Sequence, residues 1–164
     1  MKPIILLYAV VLLIAGCAAP TQSISMKFEA SDFEPFMTKG SGKISGQAFM
    51  KTRAGDVKFG AGCTVWLTPA TAYMKELVRI KDQGFNVSNH TQDTAGAIQK
   101  YIRTTVADGT GNFEFNNLPP GEYFVECNVT WEFVGQFGLV TTGGLIRKKV
   151  ELRDGEPLKV ILTS

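Results

Sequence analysis

Residues 108–123 constrain the fold more than any other part of the chain. The run Asp108–Gly111 favours a tight turn, because its glycines tolerate the positive φ that such turns require. Phe113 and Phe115 are two residues apart, so in a strand both project from the same face. Pro120-Gly121 is typical of a type II turn, which starts the next strand. The segment therefore predicts two strands joined by a turn, with both phenylalanines in a β-sheet core.

Alternating apolar and polar residues, bounded by turn clusters, predict further strands. They occur around residues 44–50, 57–59, 63–68, 101–106, 121–131, 146–152 and 158–163. About seven short strands with regular turns predict an all-β fold, a single antiparallel β-sandwich.

The stretches between these strands are less regular. Thr68-Pro69 can start a helix that ends at Gly84, although an irregular arm fits the same residues. Residues 85–97 are polar and predict an exposed loop, and residues 133–145 are a Gly-rich apolar stretch.

The segment 108–123 closely resembles the carboxypeptidase regulatory-like (transthyretin-like, prealbumin-like) domains. Residues 44–48 and 61–69 resemble the first two strands of the same domain. The resemblance implies a transthyretin-like sandwich over residues 43–164. Members of this family are usually accessory modules, so it also implies a domain without catalysis of its own.

The N-terminus predicts export. Lys2 precedes an apolar run over residues 4–15, which suits a signal-peptide core of about 7–15 residues and is shorter than the roughly 20 needed to span a bilayer. Ile14-Ala15-Gly16-Cys17 resembles the lipobox of bacterial lipoproteins. The resemblance implies a signal peptide over residues 1–16, a Cys17 carrying diacylglycerol and palmitate-type chains, and a tether over residues 17–42. An ordinary cleaved leader is the alternative.

Ala18 follows the lipobox cysteine where an Asp would be an inner-membrane signal. In Gram-negative lipoproteins the absence of that Asp is similar to the outer-membrane sorting pattern. We therefore expect a cell-envelope protein, held in the outer membrane through Cys17.

Charge and chemistry restrict the partners. The chain has 17 Lys and Arg against 15 Asp and Glu, and no basic block longer than Arg147–Lys149. Because nucleic-acid binding needs a concentrated basic patch, no nucleic-acid partner is expected.

Neither a catalytic centre nor a metal or cofactor is expected. His90 is the single histidine, whereas a zinc peptidase site needs about three protein ligands. We expect His90 to be solvated in a loop. Asp108, Asn112 and Glu114 lack the spacing of a calcium loop, and a turn accounts for Asp108.

Two cysteines remain if Cys17 carries lipid. Cys63 and Cys127 both lie on the predicted inward face of their strands, and the family resemblance implies that these strands are central. The envelope is oxidising, so we expect a disulfide between them. The alternative is two buried free thiols.

Aromatic residues are the remaining candidates for binding. Trp66 and Phe124 lie opposite the predicted core face, and Trp131 lies near Phe133 and Phe137 in the Gly-rich stretch. Aromatic rings can stack on sugars or anchor a partner protein. The alternative is that residues 69–100 cover this outer face. The predicted function is a binding or scaffolding module for an envelope protein, or alternatively a carbohydrate-binding module for peptidoglycan or surface glycan.

Overall fold

The computed structural model describes residues 19–164, so the predicted signal peptide and Cys17 lie outside the described residues. Within this range the chain forms ten strands, two α-helices and two short 3-10 turns. The strands are β1 (Thr21–Gln22), β2 (Gly42–Lys51), β3 (Val57–Phe59), β4 (Thr64–Pro69), β5 (Asn86–Val87), β6 (Arg103–Val106), β7 (Asn112–Leu118), β8 (Gly121–Gly135), β9 (Gly138–Leu152) and β10 (Pro157–Leu162). The helices are α1 (Ala72–Asp82) and α2 (Gln92–Gln99), and the 3-10 turns are Ala30–Asp32 and Glu34–Met37.

Two four-stranded sheets form the predicted β-sandwich, which the structure confirms. The short sheet has β2 at its centre, paired with β10, β7 and β3. The long sheet has the order β6-β4-β8-β9 and is antiparallel throughout. One pairing within the sandwich departs from the predicted antiparallel arrangement, because β10 runs parallel to β2. Outside the sandwich, β1 and β5 form a separate two-stranded parallel sheet. The turn at Arg153–Glu156 carries the chain from the long sheet to the short one, so β9 and β10 do not form a hairpin.

The core lies between the sheets and contains the residues predicted from the alternation. Phe113 and Phe115 are both buried, beside Ile44 of β2. Tyr123 is also buried, and its hydroxyl donates a hydrogen bond to the carbonyl of Pro119 at 2.7 Å. Gly111 has a φ of 81° and Gly121 a φ of 149°, so both predicted turns use the conformational freedom of glycine.

A third layer covers the outer face of the long sheet. It consists of α1, α2 and the N-terminal segment, packed around a second cluster that includes Leu77 and Ile80. The helix predicted after Thr68-Pro69 begins later, because both residues belong to β4 and Thr71 provides the N-cap of α1. Gly84, at φ 82°, follows the end of α1 as expected. The predicted loop 85–97 instead contains β5 and most of α2.

The described part of the predicted tether, residues 19–42, is packed onto the domain, as the aromatic residues in its second half suggest. Phe33 is fully buried and Ile24 nearly so. The side chain of Asn89 bonds both the N–H and the carbonyl of Ile24 at 2.8 Å, and Glu76 accepts hydrogen bonds from the N–H groups of Ser25 and Met26. Aromatic and apolar residues in this stretch have a surface to bury against, so it is part of the fold.

The Gly-rich stretch 133–145 is also ordered differently from the prediction. It forms the far end of a long hairpin in which β8 and β9 pair from Gly121–Leu152 to Gly135–Gly138. We call residues 131–142 the hairpin arm and residues 133–140 its tip.

Candidate binding cleft

The three aromatic candidates lie in different environments. Phe124 is only 6% exposed and belongs to the cluster beneath α1, so it is not available for binding. The alternative prediction, that residues 69–100 cover this face, is confirmed for Phe124. Trp66 is half-buried on the same outer face, between Thr104 and Glu126 in the register. Trp131 lies elsewhere, on the hairpin arm.

Trp131 lines a cleft of about 570 Å³ between the hairpin arm and the turn that joins β2 to β3. Side chains two apart along a strand share a face, so Trp131 and Phe133 continue the inward face of Tyr123, Val125, Cys127 and Val129. At this level the opposing strand β2 ends at Lys51. Trp131 and Phe133 therefore lie on the core-facing side of the long sheet, at a level where the short sheet has ended and no longer covers them.

The opposite wall is residues 50–54, which form the start of a closed turn. The N–H of Thr52 donates to the carbonyl of Asp56 at 2.8 Å, and the N–H of Asp56 donates to Thr52 Oγ1 at 3.0 Å. Gly55, at φ 95°, supplies the positive φ of this turn. The hydrogen bonds fix the turn, so this wall keeps its shape without a ligand.

Gly143 sets the position of the Trp131 ring. It has a φ of 107°, and an added Cβ would lie 2.1 Å from the carbonyl oxygen of Val129 and 3.0 Å from Cζ3 of Trp131. The backbone of β9 therefore approaches β8 and the indole ring more closely than any side chain allows. This close backbone contact holds the indole ring of Trp131 in position at the wall of the cleft.

The cleft is basic. Lys51 and Arg53 lie on its wall, and neither forms an ion pair with another residue of the part of the chain that is described. Aromatic faces beside cationic side chains and Thr hydroxyls suit a ligand with both apolar ring faces and polar or acidic groups.

Sequence reasoning found Trp131 but missed the cationic wall. The sequence indicates Trp131 only as an aromatic residue near the Gly-rich stretch. Extending the parity of Tyr123 to Val129 by one and two steps would have placed Trp131 and Phe133 on the core face. Residues 51–56 were recognisable as a turn, but their position opposite Trp131 depends on how the two sheets face each other.

A second concavity, of about 620 Å³, lies on the outer face of the short sheet and has no exposed aromatic side chain. Of its charged lining residues, Glu114 pairs with Lys43 at 2.6 Å, whereas Lys159 forms no ion pair among the described residues. The Asp108 carboxylate accepts hydrogen bonds from the N–H groups of Thr110 and Asn112. These bonds, and that from the Asn112 side chain, hold the pKa of Asp108 well below its ordinary value. Among residues 19–164, no group of three or more His, Cys, Asp or Glu is placed to hold a metal ion.

His90 is less solvated than expected. Its Nδ1 lies 2.8 Å from the hydroxyl of Tyr73, and the side chain is half-buried. Burial, with a smaller contribution from Lys81, lowers the pKa of His90. One ring nitrogen is thus used in a contact that attaches the loop to α1.

The expected disulfide is absent, because Cys63 and Cys127 are free thiols in the structure. Cys63 directly precedes β4, and the pairing of Val65 with Cys127 makes the two cysteines diagonal neighbours in one sheet. Diagonal positions are about 7–8 Å apart, at the limit that a disulfide can bridge. The Cys63 thiol instead lies 3.1 Å from the carbonyl of Asn128.

The sequence matches no protein-family model and no curated protein. Its fold is similar to that of a proposed carbohydrate-binding protein from Pseudomonas aeruginosa, with a TM-score of 0.70 and 26% identity over 85% of this chain and 99% of that chain. This likeness agrees with the β-sandwich described above.

Two pilin structures are more distant. A minor pilin from Streptococcus agalactiae has a TM-score of 0.41 and 16% identity over 77% of this chain and 44% of its own. The pilus backbone protein of Streptococcus pneumoniae has a TM-score of 0.32 and 14% identity over 74% of this chain and 41% of its own.

Proposed function

We propose that this chain is a non-enzymatic, lipid-anchored binding module of the cell envelope and that its ligand is a glycan. The cleft formed by Trp131, Phe133, Lys51 and Arg53 carries the proposal. A pyranose ring stacks its C–H face on an aromatic side chain, and the hydroxyl or acidic groups at its edge accept hydrogen bonds from cationic side chains. The positive wall favours acidic sugars over neutral ones.

The likeness to the P. aeruginosa protein supports glycan binding over scaffolding, because carbohydrate binding is the function proposed for that protein and nearly its whole length aligns with this chain. The resemblance of residues 108–123 to carboxypeptidase regulatory-like domains supports an accessory role rather than catalysis. The contact of His90 with Tyr73 fits a structural use of the only histidine.

Attachment and location are proposed from the lipobox-like residues 14–17. Cys17 would carry the lipid, and Ala18 fits retention in the outer membrane of a Gram-negative cell. Within residues 19–164, no helix is both long and apolar enough to cross a bilayer.

Glycan binding is tested with the soluble Cys17→Ser chain against a panel of peptidoglycan fragments and neutral and acidic oligosaccharides, by isothermal titration. We expect saturable binding that prefers acidic sugars, weakens with salt and is lost in Trp131→Ala. Leu145→Ala is the control, because Leu145 is exposed on the same hairpin outside the cleft. Trp66→Phe should bind like the parent. Binding that survives Trp131→Ala, or copurification of an envelope protein without any glycan binding, would contradict the proposal.

Anchorage is tested separately by fractionating cells that express the parent chain or Cys17→Ser. We expect the parent in the membrane fraction and the variant in the soluble exported fraction. A variant that stays with the membrane would show that the lipobox interpretation is wrong.

A further inference from the structure

The tip of the hairpin arm exposes apolar side chains on both of its faces. Phe137 in the turn is 97% exposed, Val134 84% and Leu139 66%. Phe133 and Val140 pair on one face of the ribbon, and Val134 and Leu139 pair on the other. Apart from Gln136 in the turn, the side chains on both faces of the tip are apolar. An exposed apolar surface of this kind is typical of a segment that is covered when the protein functions.

The tip also lacks charge. Residues 133–146 contain no Lys, Arg, Asp, Glu or His. Basic residues lie behind the tip, at the ends of β2 and β3 and on the turn between them, where Lys51, Arg53 and Lys58 outnumber Asp56. Glu132 is the one acidic residue of the arm itself. An uncharged apolar tip with a cationic collar is complementary to a bilayer with anionic headgroups.

The position of the N-terminal end of the described residues also supports a location of the tip near the membrane. Helix α1 runs along β8 from the ion pair of Lys75 with Glu122 to that of Asp82 with Arg147, which is the direction of the hairpin turn. The N–H of Asn86, just after α1, donates to the carbonyl of Pro20. The chain therefore enters the domain at the end of α1 that is nearer the tip.

The connection from Cys17 to the domain is short and the hairpin arm is long, so the tip is within reach of the membrane that would hold the lipid. From Ala19 back to Cys17 the chain reaches about 7 Å at most. From the Glu126–Arg147 rung to the turn at Gln136, β8 runs about ten residues, or roughly 33 Å at about 3.3 Å per residue. An arm of this length is long enough to reach the bilayer that would hold the lipid at the end of so short a connection.

We propose that the tip of the hairpin arm inserts into the leaflet that holds the lipid anchor, with Val134, Phe137 and Leu139 among the acyl chains and the β2–β3 turn at anionic headgroups. This inference rests on the proposed anchor at Cys17, and it shares Lys51, Arg53 and Phe133 with the proposed glycan cleft. The arm and the lipid then form two points of attachment, which fixes the orientation of the domain on the membrane.

The test uses the lipidated full protein reconstituted into phosphatidylethanolamine–phosphatidylglycerol vesicles that contain brominated lipid as a quencher. Phe137→Trp places a fluorophore at the tip, and Ile161→Trp is the matched control on the exposed face of β10. The parent spectrum is subtracted, because Trp66 and Trp131 contribute equally to both variants. We expect blue-shifted emission that is quenched severalfold for Phe137→Trp, and unquenched emission for Ile161→Trp.

Further experiments distinguish a lipid leaflet from other partners that could cover the tip. Replacing phosphatidylglycerol by phosphatidylcholine, or introducing Lys51→Glu with Arg53→Glu, should reduce quenching at the tip. A protein that sediments with the vesicles but keeps an unquenched tip overturns insertion and leaves the anchor intact, whereas a chain that never sediments overturns both. A concentration-dependent dimer of the Cys17→Ser chain that disappears in Phe137→Asp would assign the tip to a second copy and overturn the proposal. The glycan titration of the soluble Cys17→Ser chain is a separate measurement, and none of these vesicle outcomes decides its result.

Discussion

The indole ring of Trp131 lies against Gly143, at a distance that leaves no room for a side chain on the glycine. The pair belongs to neighbouring strands of the hairpin, where Trp131 is opposite Thr142 and Gly143 is opposite Thr130. Because Gly143 also approaches the carbonyl of Val129, the seat of the ring is fixed by backbone and not by a mobile neighbour. The cleft thus holds its main aromatic surface in place before any ligand arrives.

Gly143→Ala should therefore weaken ligand binding and stability together. The added Cβ meets the Val129 carbonyl at 2.1 Å and lies at a φ of 107°, and a strained backbone of this kind costs about 1–3 kcal/mol. Gly144→Ala is the matched control, because a Cβ at Gly144 meets nothing within 4 Å. Urea unfolding and glycan titration of both variants check the prediction. Equal behaviour of the two would mean that Gly143 does not seat Trp131.

Phe115→Ala should destabilise the domain by roughly 3–5 kcal/mol, because it leaves a cavity in the core. The same substitution at Phe137 should change stability by less than about 0.5 kcal/mol, since that side chain is almost fully exposed and Phe115 is 5% exposed. Thermal unfolding of the two variants measures the difference. Equal midpoints would contradict the assignment of Phe115 to the core.

Gly121→Val tests the turn that precedes β8. Its φ is 149°, and a Cβ would lie 2.7 Å from the ring of Phe36, which packs edge-on against Tyr123. The strain of a β-branched residue there costs roughly 1–3 kcal/mol, and displacement of Phe36 adds to it. Gly144→Val, in an open strand position, should be nearly neutral. A stable Gly121→Val protein would show that the N-terminal segment does not pack at this turn.

The sequence predicted the sandwich because its signals are local. Alternation put Phe113, Phe115 and Tyr123 in the core, and glycine marked the turns at Gly111 and Gly121. It did not predict the parallel pairing of β10 with β2, because which sheet a final strand joins depends on packing between distant elements. Likewise, the burial of Phe33 depends on a surface formed by α1, more than 35 residues later.

The binding cleft was predictable only on one side. Trp131 carries its own signal as an aromatic residue on the inward parity of a strand. In the sequence Lys51 and Arg53 resemble ordinary turn residues, because only the packing of the two sheets places them opposite Trp131. The Gly-rich composition of residues 133–145 suggested a loop, yet Gly135 and Gly143 allow close cross-strand approach inside the hairpin. Gly138 instead supplies a positive φ of 123° at the turn.

Glu122 should make the domain sensitive to acid. Hydrogen bonds from Lys149 and Lys75 lower its pKa from 4.5 to about 2, and Lys75 belongs to α1. A carboxyl with a lowered pKa stabilises the fold above its unfolded pKa, and this contribution is lost as the pH falls from about 4.5 towards 2. Glu122→Gln should therefore unfold more easily than the parent at pH 7 and show less change between pH 5 and pH 2. Glu132→Gln, on the hairpin arm, is the control. Parallel stability curves for parent and Glu122→Gln would contradict the assignment.

The last prediction concerns the thiols of Cys63 and Cys127, which we expect to stay reduced in the folded protein. Burial, with a smaller effect of the neighbouring Cys63, raises the pKa of Cys127 to about 12, so at neutral pH its thiol is protonated and poorly reactive. Cys63 is half-buried and should react faster with an alkylating reagent in the folded state. After unfolding without reductant, the Cys17→Ser chain should gain two adducts by mass spectrometry, the same number as a sample reduced beforehand. A protein that gains no adduct on unfolding until it is reduced would mean that the diagonal pair does close into a disulfide.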